Sequence, residues 1–114
     1  MNKFLIDNFE LTKEEAEIFS SSFRFNEYSK GDLFIQNSKV CNEIGFVKKG
    51  MLKCETIGKN KEVVDDFIFE NQFVTDYHSF LTAEASSKRI ECLTSCIIYT
   101  IDRSRLEELG REHY

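Results

Sequence analysis

The sequence has no proline, no tryptophan and only two histidines in 114 residues, and its 20 acidic side chains outnumber its 15 basic ones for a formal net charge of −5. Each shortage excludes something. Without proline, every strand residue keeps its N–H for a ladder, no turn can use a cis X–Pro bond, and reversals fall to Gly and Asn. Without a basic excess there are no spare cations to displace counterions from a nucleic-acid backbone, so these residues by themselves are not expected to bind DNA. His78 and His113 are too few for a cupin-type centre of two or three imidazoles and a carboxylate. No metal or other cofactor is therefore expected, and His78 reads as a polar loop residue. No run approaches the roughly 20 apolar residues of a membrane span, and Met1 to Asp7 lacks the apolar stretch of a signal peptide. Both absences predict a cytoplasmic protein with no membrane partner.

The four cysteines, Cys41, Cys54, Cys92 and Cys96, read as reduced and mostly buried thiols, because a cytoplasmic chain of this size builds a core without staples. Cys92 and Cys96 are separated by three residues, which departs from the Cys-x-x-Cys spacing of redox and zinc motifs. Asp65, Asp66 and Glu70 read as a solvated face rather than a general acid and base, and no nucleophile–base grouping can be assembled. No enzyme activity is expected.

What is present is a globular composition, 41% hydrophobic and 31% charged, with eleven phenylalanines to fill a small interior. Residues 1–114 fit one domain. Thr12-Lys13-Glu14-Glu15 has the capping-box form, with Leu11 and Ala16 at the staple positions, and Ala16, Phe19 and Phe23 continue at helical spacing. A helix is predicted over about 12–22. From about 23 to 102 the pattern becomes short β-rich runs: Leu33 to Ile35, Ile44 to Val47, Met51 to Thr56, Val63 to Phe69, Arg89 to Leu93 and Ile97 to Ile101. Gly31, Gly50 and Gly58 fall between runs, and Gly58-Lys59-Asn60 reads as a hairpin tip. Asp102 then caps a short helix over about 103–109 that Gly110 should close. Many short strands with regular turns predict a mainly β protein, a sandwich or jelly roll with short flanking helices. Phe67, Phe69, Phe73 and Phe80 are read as core, not as an aromatic cage or stacking platform.

Several local patterns occur in one order: Lys30-Gly31-Asp32 before a strand, Gly45-Phe46-Val47-Lys48-Lys49-Gly50, Gly58-Lys59-Asn60-Lys61-Glu62, and the stretch from Asp66 to Leu81. Together, from about Phe23 to Leu109, they make the chain resemble the cyclic-nucleotide-binding-like sensor domain of Crp/Fnr transcription regulators. The resemblance implies a double-stranded β-helix, or jelly-roll β-roll. It also implies a small anionic or polar effector, a homodimer in the full-length protein, and contact with DNA only through a domain absent from this chain.

In nucleotide-binding members a phosphate cassette opens with Gly-Glu and closes with Arg-Ser or Arg-Thr. The Glu accepts from the ribose, and the Arg pairs with the cyclic phosphate. The resemblance places Thr75-Asp76, followed by Tyr77, at the opening and Ser86-Ser87 at the close, so the guanidinium position carries a hydroxyl. Lys88 and Arg89 are the cations that a shifted register could supply, Lys88 on the strand face of Ser86. Two readings from other classes stand beside the sensor: a ligand-free β-roll used only for dimer or partner contacts, and a small cupin-like enzyme.

Overall fold

The computed structural model describes residues 1–113, and Tyr114, the last residue of the expected 1–114 span, lies outside them. Two helices open the chain, α1 (Asn2–Phe9) and α2 (Lys13–Ser21). The capping box that predicts the second is fully formed: Glu15 N–H donates to the Thr12 hydroxyl at 3.1 Å, and Thr12 N–H donates to the Glu15 carboxylate at 2.9 Å. The first helix was not anticipated, because its eight residues carry no side-chain cap and no long apolar stripe. It is held by aromatic packing. Phe4 lies 5.4 Å from Phe46 and 5.8 Å from Phe73, ring centre to ring centre.

Eight strands follow, β1 (Arg24–Tyr28), β2 (Leu33–Ile35), β3 (Glu43–Lys49), β4 (Leu52–Ile57), β5 (Glu62–Ile68), β6 (Phe73–Val74), β7 (Lys88–Cys92) and β8 (Cys96–Asp102). A short helix, α3 (Tyr77–Thr82), lies between β6 and β7, and α4 (Arg103–His113) ends the described chain. The strands form two antiparallel four-stranded sheets, β1-β8-β3-β6 and β2-β7-β4-β5. Between them sits a core of Val47, Leu52, Ile90, Cys92 and Ile98, each at most 1% exposed, with Ile35, Val74 and Phe80 around it. This is the mainly β architecture with short flanking helices that the strand pattern predicts, in the β-roll form that the resemblance implies. A second apolar cluster, Phe23, Ile101 and Leu109, seats α4 and α2 on the first sheet.

Two glycines are required by contact. Gly50, between β3 and β4, has φ +105°, and a Cβ there would lie 2.5 Å from Cys96 Sγ. Gly45 lies in the middle of β3, paired with Thr100 and Val74, and a Cβ there would come within 2.7 Å of Ile98.

Three expectations need correction. Gly110 does not close the last helix: α4 runs through it to His113 because Leu109, 6% exposed, keeps the helix docked on the roll. A glycine inside a helix costs about 1 kcal/mol but does not by itself end it. His78 is not in a loop but on α3, its Nε2 2.8 Å from the Glu84 carboxylate. Phe67 and Phe69 are not core, being 43% and 51% exposed, because β5 is the edge of its sheet and only its last residue, Ile68, turns into the interior.

Candidate functional site

The segment from β6 to β7 forms a compact polar cassette. At its opening, the Thr75 hydroxyl donates to the Glu43 carbonyl at 2.8 Å and lies 3.3 Å from the Cys41 thiol, so the β-branched side chain is part of the wall. Asp76 is the N-cap of α3. One carboxylate oxygen accepts from Ser79 N–H at 3.4 Å and the other accepts from the Ser86 hydroxyl. Tyr77 begins the helix and is 62% exposed.

The far end of the cassette closes on the same carboxylate. Ser86 is buried, its N–H donating to the Lys39 carbonyl at 2.8 Å and its hydroxyl oxygen accepting from Lys88 N–H at 3.0 Å. Ser87 is held by its carbonyl, which accepts from Ile57 N–H at 2.9 Å. The two halves of the cassette, ten residues apart, are thus tied to each other by Asp76 and Ser86. Ser79, 0% exposed, holds the helix from behind: it accepts from Cys41 N–H at 2.8 Å and donates to the Glu84 carbonyl at 2.6 Å.

Strand alternation separates the two candidate cations. Lys88, Ile90 and Cys92 share one face of β7, and the last two lie in the core, so Lys88 sits on the inner side with Ser86. Its ammonium donates to Thr56 Oγ1 at 2.7 Å and to Asp65 Oδ2 at 2.8 Å. That hydrogen bond from Lys88 holds Asp65 below the usual carboxylate range, with Thr56 adding to the effect. In return the bond to Asp65 raises the Lys88 ammonium, against the opposing effect of desolvation. Arg89 points to the opposite face of the sheet, its guanidinium 2.8 Å from Glu62 and 3.3 Å from Glu55. The structure brings Asp76, Ser86 and Lys88 together and places Arg89 elsewhere.

Asp65, Thr56, Ser79 and Arg103 were missed as parts of this region. Asp65 escaped because β5 carries a bulge: Cys54 pairs with Asp66 and Glu55 with Val64, which leaves Asp65 as the extra residue turned toward Lys88, whereas Thr56 faces Lys88 through the long-range β4–β7 pairing. Cys54, half-buried, shares their face, and burial pushes its thiol up and away from reactivity. Arg103, the first residue of α4, donates to the Phe80 carbonyl through two nitrogens and to the Cys41 carbonyl at 3.2 Å, with its guanidinium 4.9 Å from the centre of the Phe80 ring. It ties the cassette helix to the last helix.

Chemically the cassette offers the carboxylates of Asp65 and Asp76, the Ser86 hydroxyl and one ammonium already shared by two oxygens. Such a set is suited to hydroxyl and amide partners. It holds no uncommitted cation for a phosphate.

The fold is a two-sheet β-roll with a short capped helix between β6 and β7 set against a polar cluster. The family model for the cyclic nucleotide-binding domain matches residues 25–113, and the chain belongs to that family. Among solved structures, the catabolite activator protein of Thermus thermophilus superposes with a TM-score of 0.83 at 15% identity, covering 96% of this chain and 50% of that one. The regulatory domain of Toxoplasma gondii protein kinase A, crystallised with cyclic AMP, gives 0.82 at 10% identity over 96% of this chain and 43% of its own. The regulatory subunit of a cyclic-AMP-independent protein kinase A from Trypanosoma cruzi, bound to guanosine, gives 0.80 at 15% identity over 95% and 40%. At these identities the likeness is one of fold, and the chain spans half or less of each of those proteins. No curated protein matches the sequence directly. Among the described residues, no helix is long and apolar enough to cross a membrane.

Proposed function

We propose that this chain is the effector-sensing part of a cytoplasmic Crp/Fnr-type regulator, one unit over residues 1–114, whose pocket does not take a cyclic nucleotide in the standard mode. The observation that carries this reading is the Ser86 hydroxyl donating to Asp76, at the position where the family resemblance expects a guanidinium, with the Lys88 ammonium committed to Asp65. An Arg–phosphate contact contributes on the order of 1.5–3 kcal/mol, and about 1.4 kcal/mol is a tenfold change in affinity. Its absence corresponds to binding weaker by roughly ten- to a hundredfold.

Calorimetric titration tests the reading. Cyclic AMP and cyclic GMP should show no saturable binding at low micromolar concentration, and Ser86→Arg should improve their affinity if its melting temperature stays near that of the parent. Tight binding of either nucleotide to the unmodified chain overturns the reading. Lys88→Ala and Arg89→Ala would then identify the cation responsible.

The cassette's closure on itself favours a second reading, a ligand-free interaction domain. Guanosine titrated in the same way separates the two, because a saturable isotherm belongs only to the sensor. Under the sensor reading, contact with DNA belongs to a domain outside these residues and the homodimer to the full-length protein.

A further inference from the structure

Three side chains from three adjacent strands meet beside the cassette. Thr56 of β4 pairs directly with Lys88 of β7, and both lie on the inner face of the sheet, the face that carries Cys54 and Ile90. Asp65 joins them from β5 only through the bulge. Its carboxylate accepts from the Lys88 ammonium at 2.8 Å and from the Thr56 hydroxyl, whose oxygen accepts from the same ammonium at 2.7 Å. The three groups close a ring of hydrogen bonds. Among the described residues Asp65 is the one carboxylate in ion-pair contact with Lys88, and both side chains are two-thirds sheltered, so salt screens the pair less than an open surface pair.

Lys88 is also tied to the cassette. Its N–H donates to the Ser86 hydroxyl at 3.0 Å, which sets its backbone next to the position where the resemblance expects a guanidinium. A lysine stem is flexible, and its ammonium is a point charge that pairs with any anion within reach. Asp76 is not free to replace Asp65 as that anion, because its carboxylate accepts from Ser79 N–H and from the Ser86 hydroxyl.

We infer that Asp65 is the specificity-determining residue of the cassette, a built-in anion that neutralises Lys88 and so excludes effectors carrying a phosphate or carboxylate. This role rests on the cassette being the ligand pocket, as proposed above. An anionic ligand has to take Lys88 from Asp65 and leave a sheltered carboxylate without its cation. An uncharged ligand meets no such cost. Asp65→Asn removes the competing charge at nearly constant size and leaves Lys88 and Thr56 in place.

Calorimetric titration of the full chain with cyclic AMP at up to millimolar concentration tests this role. Adenosine is the second probe, since it shares the base and ribose and lacks the charge. Asp65→Asn should bind cyclic AMP about tenfold or more tightly than the parent does, and adenosine no more tightly. The gain should shrink as salt rises and disappear when Lys88→Met is added, which keeps most of the lysine stem. Asp65→Ser keeps a hydroxyl for Thr56 and Lys88 and should show the same gain, so it replaces Asp65→Asn if that variant melts well below the parent. Cyclic AMP binding no tighter than the parent's overturns the inference, as does an equal gain for adenosine or a gain that survives Lys88→Met. Tight binding of cyclic AMP by the parent itself is a different result, because it overturns the reading of the pocket and the role of Asp65 together.

Discussion

Lys88, Thr56 and Asp65 meet only because a bulge adds one residue to β5, and this small irregularity decides what the cassette can hold. The pair also sets a pH window. Asp65 is depressed from its ordinary 3.8, so its contribution is fully present above that value and is lost as pH falls through the lower, folded value. Lys88 is raised from 10.5, so its contribution is fully present below that value and is lost as pH rises through the higher, folded one. Between these limits the bridge is intact. Asp65→Asn should therefore flatten the acid limb of stability, visible as a urea midpoint that changes less as pH falls through the ordinary carboxylate range and below it. An acid limb identical to that of the parent would show that the bridge contributes nothing. The candidate residues were legible here only through the resemblance. Sequence placed Asp76 and Ser86 at the two ends of the cassette, but their mutual hydrogen bond depends on how α3 folds back, and no local pattern encodes that.

At the scale of elements, the helix with a complete capping box and the strands with continuous β-branched and aromatic runs were readable, because their signals are local. Those missed were short or weakly marked. Strand β6 has two residues and α3 has six, too few for a period to show. Phe67 and Phe69 misled because aromatic residues suit a strand whether or not its face is covered, and whether β5 is an edge is a property of the topology. The link from Arg103 to Phe80 was invisible for the same reason, since its partners lie 23 residues apart.

That link has a measurable consequence. Arg103 gives α3 and α4 a common anchor, donating to the Phe80 carbonyl near the end of α3 and to the Cys41 carbonyl in the loop before β3. Arg103→Ala should raise amide exchange in residues 77–83 by about tenfold or more, corresponding to roughly 1.5 kcal/mol or more of local stability, while β3 and β8 keep their protection. Unchanged exchange in α3 would show that Ser79 and Asp76 hold the helix alone.

At the scale of the whole molecule, the roll is closed by strands from its two ends. β8 lies between β1 and β3 in the first sheet, with Arg24 opposite Thr100 and Tyr28 opposite Cys96. It also brings Cys96 and Ile98 to the core between the sheets. A chain ending before residue 96 therefore loses the strand that joins β1 to β3, not merely an edge. Such a truncation should show no cooperative thermal transition by circular dichroism. A cooperative transition would mean that the second sheet and the helices suffice.

The same pairing bears on how the chain is made. On a ribosome adding about 5–20 residues per second, β1 emerges several seconds before β8, its strand partner among the described residues, because some seventy residues separate them. Pairings so distant in sequence are slow to form even in a complete chain. Through that interval β1 has no sheet to join, and its backbone N–H and C=O groups stay open to water until β8 arrives.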